Sequence, residues 1–259
     1  MTLRDRVAIL HQESPVADNR RSRHVSGAAD RGPTLRAVPF LPTAVPGRTP
    51  LLTERQRLKL GSIATRIRVL PRMVVYREDT PATSVFINAE GVVKAFKDMP
   101  SGRRFVTAFL YPQDVFGLAE NGLYVRTAQA VTHATLYRIR TDTLMEMLRH
   151  DAELQFQFLC KVTHELRESQ RQTIAVGRRD AIGRLAMFIR QLQRQHQGGT
   201  RDIEMPMSRS DIASYLGLSL ESVSRATRTL ERRGVLAFPG RHVVRIVNPA
   251  QFDRIESTL

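Results

Sequence analysis

The chain has 259 residues and a formal net charge of +15, enough material for two compact domains that need no metal or disulfide staples. Its one cysteine, Cys160, excludes an intramolecular disulfide and any cluster held by several cysteines of one chain. No apolar run approaches the length that spans a bilayer.

The N-terminus also lacks the compact apolar core of a secretory signal, so a protein of the reducing cytoplasm with no membrane partner is expected. Lysine occurs only at Lys59, Lys94, Lys97 and Lys161, so arginine carries the positive charge. A field of this sign attracts polyanions, and the guanidinium fork suits phosphate and guanine. GC-rich codon usage produces the same composition, so charge suggests a partner without marking a site.

In chain order, residues 1–50 are rich in Arg, Ser, Pro and Gly without sustained periodicity, and they read as a disordered basic arm. Residues 51–147 open with a short helix after a Thr53 cap position. Eight short runs follow (IRVL, MVVY, SVFIN, VVKAF, FVTAFL, DVFGL, VRTAQAV and ATLYRI), separated by turn residues in the manner of a β-roll. Residues 141–176 carry one long helical pattern. Within it, Leu159, Val162, Leu166, Ser169 and Thr173 recur at steps of three and four, a narrow seam that suits a helix packed lengthwise on another. Residues 148–176 are therefore expected to form a dimerisation helix with Leu159, Val162, Leu166 and Thr173 at the interface. The same stripe would also suit a helix lying on its own β-roll.

Residues 177–259 hold the segment with chemistry. A helix over about 180–195 buries Ile182, Leu185, Ala186, Ile189 and Leu192 and ends before Gly198-Gly199. Ser208 and Asp211 give a capping-box-like start to a second helix, Gly217 suits a left-handed stop, and Ser219 caps a third helix. Val223, Ala226, Thr227 and Leu230 form the inner face of that third helix, which leaves Leu220, Glu221, Ser224, Arg225 and Arg228 outside. VLAF and HVVRIV, separated by Pro239-Gly240, read as a β-hairpin. A short helix, glycine turn, second helix and hairpin in a basic chain form a winged helix-turn-helix pattern, whose second helix enters the DNA major groove. Glu221 and Arg225, one turn apart, can accept from cytosine and donate to guanine. The same spacing also suits a surface ion pair.

Residues 208–247 resemble the winged helix-turn-helix of the Crp–Fnr superfamily, and Glu221-x-x-Ser224-Arg225 is similar to its Fnr and FixK branch. In the cyclic-AMP receptor protein an arginine precedes the glutamate, where this chain has Leu220. The resemblance implies an α+β fold: an N-terminal β-roll (a cyclic-nucleotide-binding-like jelly roll), a long dimerisation helix and a C-terminal winged helix-turn-helix. It also implies base reading by Glu221, Ser224 and Arg225, phosphate contacts by Ser208, Arg209, Ser219 and Ser222, and a palindrome close to TTGAT-N4-ATCAA. The expected partners are double-stranded DNA, a second copy in a homodimer, and RNA polymerase, with transcription activated.

No cofactor and no metal are expected. Cyclic-nucleotide members of the superfamily carry Gly-Glu where this chain has Gly117-Leu118, and one cysteine cannot hold the iron–sulfur cluster of Fnr. Arg126-Thr127-Ala128 echoes the second half of the nucleotide cassette, out of register. Cys160 reads as a packed thiol. A ligand- or haem-sensing regulator of the same fold stays open as the alternative, because His133 or His164 would suffice as an axial ligand. An enzyme is not expected, since residues 53–176 show no nucleophile–base set, metal spacing or phosphate loop.

Overall fold

The computed structural model describes residues 54–112, 114–119, 121–177, 180–195 and 202–257. The basic arm, the Thr53 cap position and the Gly198-Gly199 helix end lie outside the described residues. After helix α1 (Glu54–Ile63), all eight apolar runs form strands: β1 (Thr65–Val69), β2 (Val74–Tyr76), β3 (Ser84–Glu90), β4 (Val93–Asp98), β5 (Arg104–Leu110), β6 (Val115–Phe116), β7 (Thr127–Ala130) and β8 (Ala134–Arg140). They make two antiparallel four-stranded sheets, ordered β1-β8-β3-β6 and β2-β7-β4-β5.

Strand periodicity sends alternate residues to opposite faces, and the inner strands β3, β4, β7 and β8 are buried on both faces, whereas the edge strand β1 is mostly exposed. Phe86 and Leu136 point between the sheets with Val93, Leu110, Phe116 and Tyr124. Val85, Ile87, Tyr137 and Ile139 point outward against Leu60, Leu144, Leu154 and Phe158 of the helices. Val106 and Phe109 of β5, on the outer face of the other sheet, join the core of the C-terminal domain. Burial on both faces explains why these strands read as nearly continuous apolar runs.

The single helical pattern over 141–176 resolves into two helices, α2 (Thr141–Arg149) and α3 (Ala152–Gly177). The break falls at His150-Asp151, where the Asp151 carboxylate accepts the Leu154 amide at 3.0 Å and so caps α3. Helix α3 has two apolar faces. Leu154, Phe158 and the stem of Lys161 are buried against the roll, whereas Phe156, Leu159, Val162 and Leu166 are exposed, Leu159 at 61% and Leu166 at 58%. Packing on the roll thus uses a different face from the narrow seam.

The C-terminal domain comprises α4 (Ala181–Gln195), β9 (Asp202–Glu204), α5 (Arg209–Leu216), α6 (Leu220–Arg232), β10 (Leu236–Gly240), β11 (Val243–Ile246) and α7 (Pro249–Ser257). The expected hairpin gains a third strand, because β9 pairs with β11 and the sheet runs β10-β11-β9. Pro239-Gly240 is not the turn. Both residues belong to β10, whose edge position and bulge after Ala237 tolerate a residue without an N–H, and the chain reverses at Arg241-His242. Helix α7 is an addition to the expected elements. Asn248 caps it, and Phe252 is fully buried beneath Arg190 of α4.

All four lysines act as ties within the fold: Lys59 to Asp151, Lys94 to Asp211, Lys97 to Glu78 and Lys161 to Asp114. Lys161 is buried, and its ammonium donates to Asp114 at 2.7 Å across the α3–roll junction. Lys161→Met should cost about 1–3 kcal/mol, because among the described residues Asp114 then keeps only the Tyr111 amide as a side-chain partner in a half-buried site. Denaturant unfolding checks this. The double variant with Asp114→Leu should recover much of the loss.

Candidate nucleic-acid interface

Local chemistry builds the helix-turn-helix as its sequence pattern anticipates. The Ser208 hydroxyl oxygen accepts the Asp211 amide at 3.1 Å and donates to the Asp211 carboxylate at 2.8 Å, fixing the start of α5. Gly217 ends α5 at φ +62°, ψ +35°, a left-handed conformation that an L side chain resists, and the Leu218 amide returns to Ala213 O at 2.9 Å. Arg184 of α4 donates to Leu216 O at 3.0 Å and braces the turn. Ser219 then caps α6 by accepting the Ser222 amide at 3.1 Å. Val223, Ala226, Thr227 and Leu230 are buried, as are Ile212, Ala213, Tyr215 and Leu216 of α5.

This packing decides which side of α6 faces outward. Glu221 and Arg225 are exposed, Ser224 is half-buried between them, and all three lie on one helical face. Among the described residues neither Glu221 nor Arg225 has a salt bridge or side-chain hydrogen bond, so the surface ion pair their spacing allows is not formed. Arg228, a turn further on, donates to Ser224 O of its own helix at 3.3 Å. Leu220 is 50% exposed at the start of the helix.

The four residues expected at phosphates divide into two kinds. Arg209 is exposed on the first turn of α5, without a side-chain partner among the described residues. Ser208, Ser219 and Ser222 are engaged in the caps, with Ser219 Oγ and Ser222 Oγ 2.9 Å apart. Their hydroxyls sit beside the first-turn amides of α5 and α6, where the positive ends of the helix dipoles favour an anion.

A cleft of about 1360 Å³ opens between this domain and the roll. Arg72, Arg209, Arg228 and Arg241 line it without acidic partners among the described residues, whereas Lys94 and Arg104 in the same wall are paired with Asp211 and Asp98. No local sequence signal marks Arg72 or Arg241. Arg72 sits in a tight turn at φ +71°, and Arg241 stands at the loop tip because the chain reverses after Pro239-Gly240 and not at it.

In the roll, Tyr76 stacks on Tyr124 with ring centroids 3.8 Å apart, and Phe86 lies 5.5 Å from Phe116. The Tyr124 hydroxyl donates to Ser84 O at 2.7 Å. These rings occupy the space between the sheets. Arg126 donates to Thr107 at 3.3 Å, and Leu118 points outward at 39% exposure. Cys160 is half-buried on α3. No group of three or more His, Cys, Asp or Glu gathers as a metal site among the described residues, and none of the described helices is long and apolar enough to cross a membrane.

Two family models match this arrangement: a Crp-like helix-turn-helix domain over residues 183–255 and a cyclic nucleotide-binding domain over residues 66–151. The chain is similar to the transcriptional activatory protein AadR of Rhodopseudomonas palustris, with 30% identity over 196 residues, 74% of this chain and 82% of that one. It is similar to the nitrogen fixation regulation protein FixK of Azorhizobium caulinodans, with 30% identity over 71% of this chain and 75% of the relative. Among solved structures, FixK2 from Bradyrhizobium japonicum superposes with a TM-score of 0.72 at 29% identity, covering 76% of this chain and 99% of that one. The winged helix-turn-helix, the β-roll and these likenesses agree: the chain belongs to the Crp–Fnr family of DNA-binding transcription regulators, in its FixK branch.

Proposed function

We propose that this regulator binds as a homodimer to an inverted repeat close to TTGAT-N4-ATCAA and activates transcription there through contact with RNA polymerase. The observation that carries the reading is the outward face of α6, where Glu221, Ser224 and Arg225 stand together and Glu221 and Arg225 have no side-chain partner among the described residues. An arginine fork of this kind fits O6 and N7 of guanine, and a carboxylate one turn away fits cytosine N4. The unpartnered stripe of Leu159, Val162 and Leu166 on α3 supports pairing of two chains, with Thr173 continuing it. A dimer presents two copies of α6, which calls for a symmetric operator. Activation is supported by the likeness to a protein named an activatory protein.

The functional division we favour is a basic segment over 1–50, a roll over 51–147, a dimerisation segment over 148–176, most of it helix α3 (Ala152–Gly177), and a DNA-binding unit over 177–259. The roll serves as a scaffold that works without a bound nucleotide. The stacked Tyr76 and Tyr124 rings and the aliphatic Leu118 support this, and the protein acts by binding rather than by catalysis.

Arg209 serves the phosphate backbone, with Ser208, Ser219 and Ser222 holding further phosphate oxygens. Arg209→Ala should therefore weaken cognate and unrelated duplexes alike, and the slope of log affinity against log salt should become shallower by about one unit per protomer. Titrations of both duplexes across a salt series test this. A loss confined to the cognate operator would assign Arg209 to base reading instead.

A further inference from the structure

Strand β5 is the outer strand of its sheet, so the side of Arg104–Val106 turned away from β4 has backbone groups with no strand partner. Two side chains from outside the roll take them up. The Ser214 hydroxyl of α5 donates to Arg104 O at 2.7 Å and accepts from Val106 N at 2.9 Å. These are the two groups that a residue of a neighbouring parallel strand would bond opposite Phe105. Gln172 of α3 donates through Nε2 to Tyr215 O at 3.2 Å and, more weakly, to Val106 O at 3.4 Å. One side chain thereby joins the long helix, the roll edge and the first helix of the helix-turn-helix.

The surroundings reinforce the joint. Lys94 of β4 is ion-paired with Asp211, about one turn before Ser214 on α5. Beneath the bonds, Phe109 of β5 packs against Tyr215 of α5 and Phe188 of α4, with ring centroids 5.1 and 5.9 Å away. Helix α6 packs in turn on α4 and α5 through Val223, Ala226 and Leu230. The posture of the base-reading face relative to α3 is therefore transmitted through α5.

We propose that Ser214 and Gln172 form a latch that holds the DNA-binding domain docked on the edge of β5 in its DNA-reading posture. They act as positioning residues for operator binding, and the proposal rests on the reading of α6 given above. The docked arrangement leaves Glu221 and Arg225 exposed, so the latched state is the competent one. If docked and undocked postures exchange, apparent affinity scales with the docked fraction, and lost latch bonds lower that fraction.

Ser214→Ala isolates the effect because alanine favours the helix itself at least as well as serine does. Any loss then comes from the joint and not from α5. In the full-length protein, Ser214→Ala should lower affinity for the palindromic duplex about three- to tenfold. The factor should be the same for operators altered at single base pairs, since the Ser214 hydroxyl is committed to the roll edge and Ser214 is not on the proposed reading face of α6. Amide exchange of the 104–106 segment should accelerate in the DNA-free protein, and Ser214→Thr, which keeps the hydroxyl, should restore both readouts. Gln172→Ala should shift both in the same direction and serves as the second variant if Ser214→Ala loses its circular dichroism. Unchanged exchange would overturn the latch. Faster exchange with unchanged or higher operator affinity would overturn its positioning role. If the unmodified protein fails to bind the palindrome, the DNA reading fails instead, and the exchange measurement still decides whether the latch exists.

Discussion

Arg225→Ala is expected to weaken operator binding by about 1–3 kcal/mol per half-site, felt twice in a dimer, and to relax preference at one symmetric base-pair position while leaving non-specific affinity nearly unchanged. The expectation follows from three features. Arg225 is exposed, it has no acidic partner among the described residues, and it sits one turn into a helix whose inner side is fixed by Val223, Ala226 and Leu230. An arginine already paired with a carboxylate would first have to break that pair. Glu221→Ala should relax a neighbouring position through loss of the cytosine contact. Because Glu221 and Arg225 are not paired with each other in the free protein, their combined effect should be close to additive unless they meet on the DNA. Titration against operators varied at each half-site position, at fixed salt, checks both substitutions.

Leu166→Asp is expected to shift the dimer–monomer equilibrium by about 3–5 kcal/mol, a hundred- to several-thousandfold weakening, because it sets an unpaired carboxylate into the proposed seam of each protomer. Leu166 is 58% exposed in the single chain, so the protomer should keep its fold. Sedimentation equilibrium should then give monomer at concentrations where the unmodified protein is dimeric, with circular dichroism unchanged. The same charge placed at Phe158 or Leu154, which are buried against the roll, should unfold the protein instead. The contrast between the two faces of α3 separates pairing of chains from packing on the chain's own roll.

What was legible in the sequence is what short-range chemistry dictates. The caps at Ser208 and Ser219, the left-handed stop at Gly217, the buried Val223–Leu230 face and the outward Glu221-Ser224-Arg225 set all depend on residues within a few turns of one another, and the structure has each of them. The eight strands were legible for a similar reason, since turn residues separate the apolar runs from one another. The break before α3 had a signal, the Asp151 cap three residues ahead of Leu154, but continuous apolar periodicity on both sides concealed it. Strand β9 spans only Asp202–Glu204 and draws its stability from pairing with β11, a contact made some forty residues away and reinforced by the Arg245–Asp202 ion pair. Asn248-Pro249 was a usable start signal for α7, with asparagine at the cap and proline in the first turn.

The joint between roll and DNA-binding domain had no comparable signal. Lys94 and Asp211 are 117 residues apart, and Arg104 and Ser214 are 110 apart. Nothing in the local pattern around Ser214 distinguishes a helix serine facing solvent from one that replaces a strand partner. The proposed phosphate roles start from two different situations. Arg209 has no side-chain partner among the described residues, whereas the hydroxyls of Ser208, Ser219 and Ser222 already serve the caps, so any contribution of theirs to DNA depends on the lone pairs and amides that remain.

Selection of bound duplexes from a random library by the full-length protein, at one fixed salt concentration, tests the central claim most directly. The account predicts enrichment of an inverted repeat close to TTGAT-N4-ATCAA, retained in shape but degenerate at one symmetric position when the selection is repeated with Arg225→Ala. Enrichment of no repeat, or an identical repeat with Arg225→Ala, would contradict it.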